Sequence, residues 1–324
     1  MLISVLLFAV GLVLLIKGGD WFVDGATGIA KRFNLPDIVV GATVVSIGTT
    51  LPEVMVSTTG ALQGSGAMAY GNAIGSIICN TALIAAISIV CNPGPVNTKS
   101  MKTPAIFFFC SAALYCVASY LLGEFPRWMG FVMLGIFAVY MVLTVRNGMK
   151  NPDSVETEEE EGGKERKLWQ ELVLLVVGAA VIAVGADLLV EHGQVIALGL
   201  GVPETVVALL FVALGTSLPE LVTTITSLRS GHASLGVGNV IGANVFNLVL
   251  VSGVAVSLAP FPVPMENELL NTGLNMSLVF EIPVMLGVMS LMIFPTLASK
   301  KLSRWQGIAL LCIYAAFCVC QFVL

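Results

Sequence analysis

The sequence predicts an all-α polytopic membrane protein of ten transmembrane helices, arranged as two inverted five-helix repeats. Three observations predict it. Apolar residues make up 57% of the 324 residues and charged ones only 11%, against roughly 25% charged in a soluble domain. With a mean hydropathy of +0.95, too little polar surface exists to coat a globule in water. Apolar runs of about 20 residues, the length a bilayer span needs at 1.5 Å rise each, recur from one end of the chain to the other. Finally, the sequence superposes on itself when slid by 167 residues.

The ten expected spans are 1–18, 38–62, 68–91, 104–122, 128–145, 168–190, 204–228, 235–259, 277–298 and 305–324. The runs are continuous rather than alternating, which excludes a β-barrel. The first run lacks a basic start and a small-residue cleavage site, so it reads as a span rather than a signal peptide. Lys and Arg set the orientation. With the N-terminus outside, fourteen of the fifteen basic residues fall on the cytoplasmic side, and only Arg127 is external. Both termini then face out, and the location is an integral, multi-pass one in the cell membrane. The central stretch, with Glu158–Glu161, reads as a solvated cytoplasmic linker or, less simply, as a weak calcium patch. The expected organisation is a first repeat at 1–147, an acidic linker at 148–167 and a second repeat at 168–324.

A net charge of −5 does not suggest nucleic-acid binding. The seven cysteines lie in or beside apolar runs and form neither a disulfide framework nor a CxxC metal site. Membrane lipid is the expected surrounding. A monomer suffices for this architecture, and the oligomeric state is not legible.

The self-match centres on polar residues. Gly48-Thr49-Thr50-Leu51-Pro52-Glu53 falls on Gly215-Thr216-Ser217-Leu218-Pro219-Glu220, Gly71-Asn72 on Gly238-Asn239, and Asn80 on Asn247. Between 41–81 and 208–248, 13 of 41 positions are identical, too many at one fixed offset for chance. Five spans per half is an odd number, so the second copy enters the membrane in the opposite sense. Inverted repeats of this kind build many secondary transporters, with the ion site near the midplane.

Glu53 and Glu220 lie deep in the second and seventh spans, with no Lys or Arg at comparable depth. An intramembrane carboxylate is costly and marks a functional site by default. On helices, Thr49 and Thr50 share a face with Glu53, and Thr216 and Ser217 share one with Glu220. Ser57 and Thr224 are expected to bond back to the preceding turn, as hydroxyls in membrane helices commonly do. Pro52 and Pro219 free the carbonyls of Gly48 and Gly215. Asn72, Ser76 and Asn80 repeat by four; the second copy reads Asn239, Ala243 and Asn247. Asn72 and Asn239 are either ligands or interhelical ties. Oxygens from carboxylates, hydroxyls, amides and carbonyls suit Ca²⁺. Both histidines, His192 and His232, fall in expected loops, which disfavours zinc or copper. Asp20, Asp24, Asp187 and Glu191 flank the ends of the first and sixth spans, as hydrated charges or vestibule ligands. No HExxH occurs and neither histidine is expected at midplane, so metalloprotease or histidine-based nucleophilic chemistry lacks its parts and no enzyme is expected.

These paired motifs, completed by Gly71-Asn72-Ala73-Ile74-Gly75-Ser76-Ile77-Ile78-Cys79-Asn80 and Gly238-Asn239-Val240-Ile241-Gly242-Ala243-Asn244-Val245-Phe246-Asn247, resemble the two alpha-repeats of the sodium/calcium exchanger family in its ten-span prokaryotic form. The resemblance implies antiport of Na⁺ against Ca²⁺ with no resident cofactor. It further implies central coordination by Glu53 and Glu220. Thr49, Thr50, Ser76 and Asn80 complete the site from the first repeat, and Thr216, Ser217 and Asn247 from the second. It assigns backbone oxygens of Ser46 and Ala213 to sodium sites. Ala243 stands where many members have serine, and Asn247 where potassium-dependent members have aspartate. Ca²⁺/H⁺ antiport and a cation channel are the alternative readings.

Overall fold

The computed structural model describes residues 2–150, 166–200, 215–264 and 275–323. Its helices are α1 (Leu2–Phe33), α2 (Asp37–Leu62), α3 (Gly66–Cys91), α4 (Thr98–Leu122), α5 (Arg127–Lys150), α6 (Leu168–Gly199), α7 (Leu218–Arg229), α8 (Ala233–Leu258), α9 (Ser277–Ser299) and α10 (Arg304–Val323). Among the described residues, nine of these are long and apolar enough to cross a membrane. The tenth, α7, is described over the later half of its expected span. The most apolar stretch of α8 is 89% buried, against 22% in α1 and in α6. Helices α2, α3, α7 and α8 therefore form the centre, and α1 and α6 pack together on its flank.

The two halves repeat down to local detail. Helices α3 and α8 each run as ordinary α-helix for 14 residues and then widen to π-helix at Asn80 and at Asn247. Such widenings occur mostly at functional sites. Gly64 and Gly231, one repeat apart, close the turns before these helices at φ +84° and +80°, a conformation glycine adopts without steric cost. Short strand β1 (Gly94–Pro95) pairs with β4 (Lys301–Leu302), and β2 (Glu124–Phe125) pairs with β3 (Phe261–Pro262). Exchanging the halves turns one ladder into the other.

Some expectations are corrected. Helix α1 runs to Phe33 and α6 to Gly199, well past 18 and 190. Gly18 and Gly19 do not end α1; they are contact points, Gly18 against Val181 and Ile182 of α6 and Gly19 against Val222 and Thr226 of α7. A Cβ on Gly11 would lie 2.9 Å from Gly185 O, and one on Gly178 would lie 2.6 Å from Phe22 N. Gly11 and Gly18 match Gly178 and Gly185 at the repeat offset, giving a two-sided seam of small residues. Asp20, Asp24, Asp187 and Glu191 consequently sit within helices rather than beyond their ends. Asp24 pairs with Arg166 at 3.3 Å, and Arg32 pairs with the buried Glu171 at 3.4 Å. His192 lies inside α6, not in a loop, whereas His232 directly precedes α8. The 148–167 linker begins inside α5, which reaches Lys150; residues 151–165 lie outside the described ones.

Candidate functional site

Sequence places a proline, a carboxylate and hydroxyls at the same point of each half, but the local structures differ. Pro52 stands inside a continuous helix, so Gly48 O loses its intrahelical donor. Pro219 falls in the first turn of α7, where its missing N–H costs nothing. Thr216 and Ser217 are thus in a turn ahead of α7, not on the helical face expected for them. Ser217 occupies the cap position, yet its hydroxyl caps nothing.

Glu53 and Glu220 are both 0% exposed and close enough for their charges to interact. All four of their carboxylate oxygens are buried without a hydrogen-bond partner. The same holds for Thr50 Oγ1, Ser217 Oγ, and both side-chain polar atoms of Asn80 and of Asn247. The Glu220 carboxylate faces Thr49 and Thr50 of the opposite half. Buried polar groups are nearly always satisfied, and each exception calls for an explanation. Here the exceptions gather around two acids, and no salt bridge among the described residues reaches either. Such a collection of oxygens has the chemistry of a hard-cation site. Ser76 is also buried at 3% exposure, and Ala243, its counterpart, is fully buried.

Two expected ligands have other work. Thr49 Oγ1 donates to Asn239 Oδ1 at 3.1 Å, and Thr216 Oγ1 donates to Asn72 Oδ1 at 3.3 Å. Each bond joins the glutamate-bearing segment of one half to the asparagine-bearing helix of the other. The pair is a two-fold clasp, and it makes Asn72 and Asn239 interhelical ties. Asn72 Nδ2 also donates to Ser57 Oγ at 2.8 Å, a tie between helices in place of the back-bond expected of Ser57. Ser46 Oγ lies 2.8 Å from Gly41 O, 3.0 Å from Asn239 O and 3.2 Å from Asn239 Oδ1, donating to one of these at a time. Its hydroxyl serves the contact between α2 and α8. Ala213 lies outside the described residues.

A second buried polar group was not anticipated. Asn244 Nδ2 donates to Thr81 Oγ1 at 2.7 Å, and both side chains contact Met289 Sδ. Thr81 follows Asn80 and Asn244 precedes Asn247 by three, so this tie holds the two asparagine-bearing helices in register. An amide in an otherwise apolar stretch was the available signal.

The sodium/calcium exchanger protein family model matches residues 3–146 and 171–323. An uncharacterized membrane protein of Methanocaldococcus jannaschii is 34% identical, with 95% of this chain and 94% of that protein covered. The sodium/calcium exchanger MaX1 of Methanosarcina acetivorans is 30% identical across 99% of both chains. The solved structure of the sodium-calcium exchanger NCX_Mj, soaked with Na⁺ and Sr²⁺, aligns at a TM-score of 0.79 and 32% identity over 97% of each chain. An apolar ten-helix chain with unsatisfied oxygens at its centre and matches along its whole length belongs to the sodium/calcium exchanger family, membrane cation/calcium antiporters of polytopic helical build.

Proposed function

We propose that this protein exchanges Na⁺ for Ca²⁺ by alternating access, binding the ions between two repeats at 1–147 and 168–324 joined by the 148–167 linker. The observation that carries the reading is the set of buried, unpartnered oxygens around Glu53 and Glu220. Two anionic glutamates neutralise one Ca²⁺, so the dehydrated ion crosses the low-dielectric interior without a net charge. Thr50, Ser76 and Asn80 supply neutral oxygens from one half, and Ser217 and Asn247 from the other. Thr49, Thr216 and backbone oxygens of Ser46 and Ala213 complete the sodium-binding arrangement. Na⁺ competes for the same carboxylates, and that competition couples the two fluxes.

A tenfold Na⁺ gradient supplies about 1.4 kcal/mol per ion. Where more than two Na⁺ exchange for one Ca²⁺, net positive charge moves with sodium, and each charge adds about 2.3 kcal/mol per 100 mV. The glycine seam lets α1 and α6 shift over the four-helix centre and expose the site to one side at a time. Both termini face outward, as the basic residues imply. Reconstitution in sealed liposomes with Na⁺, H⁺ and K⁺ gradients imposed separately tests the reading. Ca²⁺ uptake against an outward Na⁺ gradient alone is expected; uptake driven only by a proton gradient makes the protein a Ca²⁺/H⁺ antiporter, and flux that merely dissipates gradients makes it a channel.

A further inference from the structure

Several membrane-buried hydroxyls in this protein bond to their own helix. Thr43, Ser46, Ser252, Ser257 and Thr296 each reach a carbonyl four or five residues back. Others have no partner, among them Thr58, Ser100, Ser111, Ser119 and Thr144, but on α7 three such hydroxyls follow one another along one face. Thr223, Thr224 and Ser227 are 0%, 2% and 0% exposed, and the oxygen of each is buried without a partner. They lie three, four and seven residues past Glu220, on the same helical face as that carboxylate. At 1.5 Å rise per residue the file extends about 10 Å from Glu220.

The neighbours of α7 fix where this face points. Gly19 of α1 lies against Val222 and Thr226, and Gly236 of α8 lies against Thr224. Ile225, on the remaining side, is 39% exposed. Thr223 and Ser227 fall between the α1 and α8 directions, on the side of Glu220. Helices α1, α7, α8 and the start of α2 touch in a closed ring, so the file runs down its inside. Toward the Arg229 end of α7, the His232 Nδ1 atom and Asp37 Oδ2 meet at 2.6 Å, joining the two halves. In α2, the positions one repeat earlier are Val56, Ser57 and Gly60. Only one hydroxyl remains there, and Asn72 donates to it.

We propose that Thr223, Thr224 and Ser227 form the half of the cation path between Glu220 and the Arg229 end of α7, closed in this conformation at the Asp37–His232 contact. The proposal rests on the exchange reading above and assigns one of its two access routes. Neutral hydroxyls at one-turn spacing replace part of an ion's hydration shell without holding it, as transit requires. When the ring opens, water or the cation satisfies oxygens that no protein group reaches.

The test uses a background with the native cysteines replaced and Ca²⁺ flux retained, carrying Thr223→Cys, Ser227→Cys or, as the α1-facing control, Thr226→Cys. Modification by a membrane-impermeant thiol reagent applied to the Arg229 side is timed with and without His232→Ala. The cysteines at 223 and 227 are expected to react at least tenfold faster than the control, and His232→Ala to speed them further without affecting position 226. Equal rates at all three positions in both backgrounds overturn the proposal. Thr223→Val with Ser227→Ala is expected to slow Ca²⁺ flux about tenfold at unchanged equilibrium Ca²⁺ affinity, while Thr223→Ser restores it; parental flux in the double variant also overturns the path. Failure of Na⁺-driven uptake in the parent, with the labelling pattern intact, instead removes the exchange reading and leaves the path standing.

Discussion

Replacing Glu220 with glutamine separates the cost of holding a charge from the gain of binding an ion. Glu220 is fully buried, its two carboxylate oxygens accept no hydrogen bond, and no basic side chain pairs with it among the described residues. Removing the charge therefore breaks no protein contact, and the ion-free protein loses no stability; its Tm is expected to stay level or rise. With Ca²⁺ present the balance reverses. Glu53 alone leaves the ion one charge short, the situation of a buried pair that has lost a partner, which costs about 3–5 kcal/mol. At 1.4 kcal/mol per decade this weakens Ca²⁺ binding by about two to three and a half orders of magnitude. Isothermal titration of purified protein gives the affinity, and thermal unfolding with and without Ca²⁺ gives the linked shift in Tm. A dissociation constant within tenfold of the parent's, in a variant with the parent's ion-free Tm, would place Glu220 outside the binding site and refute the charge-balance argument.

The clasp makes a second prediction: Thr49→Val and Asn239→Ala in a double-mutant cycle should couple by about 1 kcal/mol, the net worth of one buried hydrogen bond, read by denaturation; additivity would dismiss the 3.1 Å contact as incidental. For the helix seam, Gly178→Ala pushes a methyl to within 2.6 Å of Phe22 N and is expected to cost about 1–3 kcal/mol and to slow exchange, measured as Tm and initial Ca²⁺ uptake; a neutral effect on both contradicts a tight α1–α6 crossing. Ala243→Ser restores a hydroxyl on a fully buried face and should lower the Na⁺ concentration that half-inhibits Ca²⁺ uptake, with unchanged half-inhibition as the opposing result. In a cysteine-free background, Thr157→Cys should resist an impermeant reagent outside intact cells, and fast labelling there inverts the orientation.

The sequence made the span count, the repeat offset and the two acids legible because each follows from a one-dimensional regularity. An intramembrane glutamate needs no neighbour to be conspicuous, and a second at the same offset identifies the repeat. Contacts between halves were less accessible. Equivalence of Thr49 with Thr216 says nothing about which helix each one touches, so the crossed bonds to Asn239 and Asn72 could be read only from the packing of α2 on α8 and of α3 beside α7. The length of α1 was missed for a related reason. Gly18-Gly19-Asp20 reads as a helix end in isolation, yet α6 against Gly18 and α7 against Gly19 turn the pair into a crossing point. The proline pair misled in the opposite way: identical tripeptides adopt a helix interior at Pro52 and a helix start at Pro219, because only the second is preceded by a turn.

That last difference bears on how an inverted repeat becomes a directional machine. Were the two halves identical, opening to one side would be the mirror of opening to the other, and every cation would bind both states equally. A ligand shifts a conformational equilibrium only through its differential affinity for the two states. Sidedness must therefore reside in the residues that break the repeat. The breaks on this chain lie at the site and along α7: Ser76 against Ala243, Thr50 against Ser217, an unbroken helix at Pro52 against a turn before Pro219, and Val56, the partnered Ser57 and Gly60 against the unpartnered Thr223, Thr224 and Ser227. The paired asparagines and the crossed clasp keep the symmetry, as parts that hold the centre rigid in both states should. The half bearing Thr223, Thr224 and Ser227 offers a cation three unpartnered oxygens where the matching positions of the other half hold only Ser57, already tied to Asn72, so the two openings present the same ion with different surroundings.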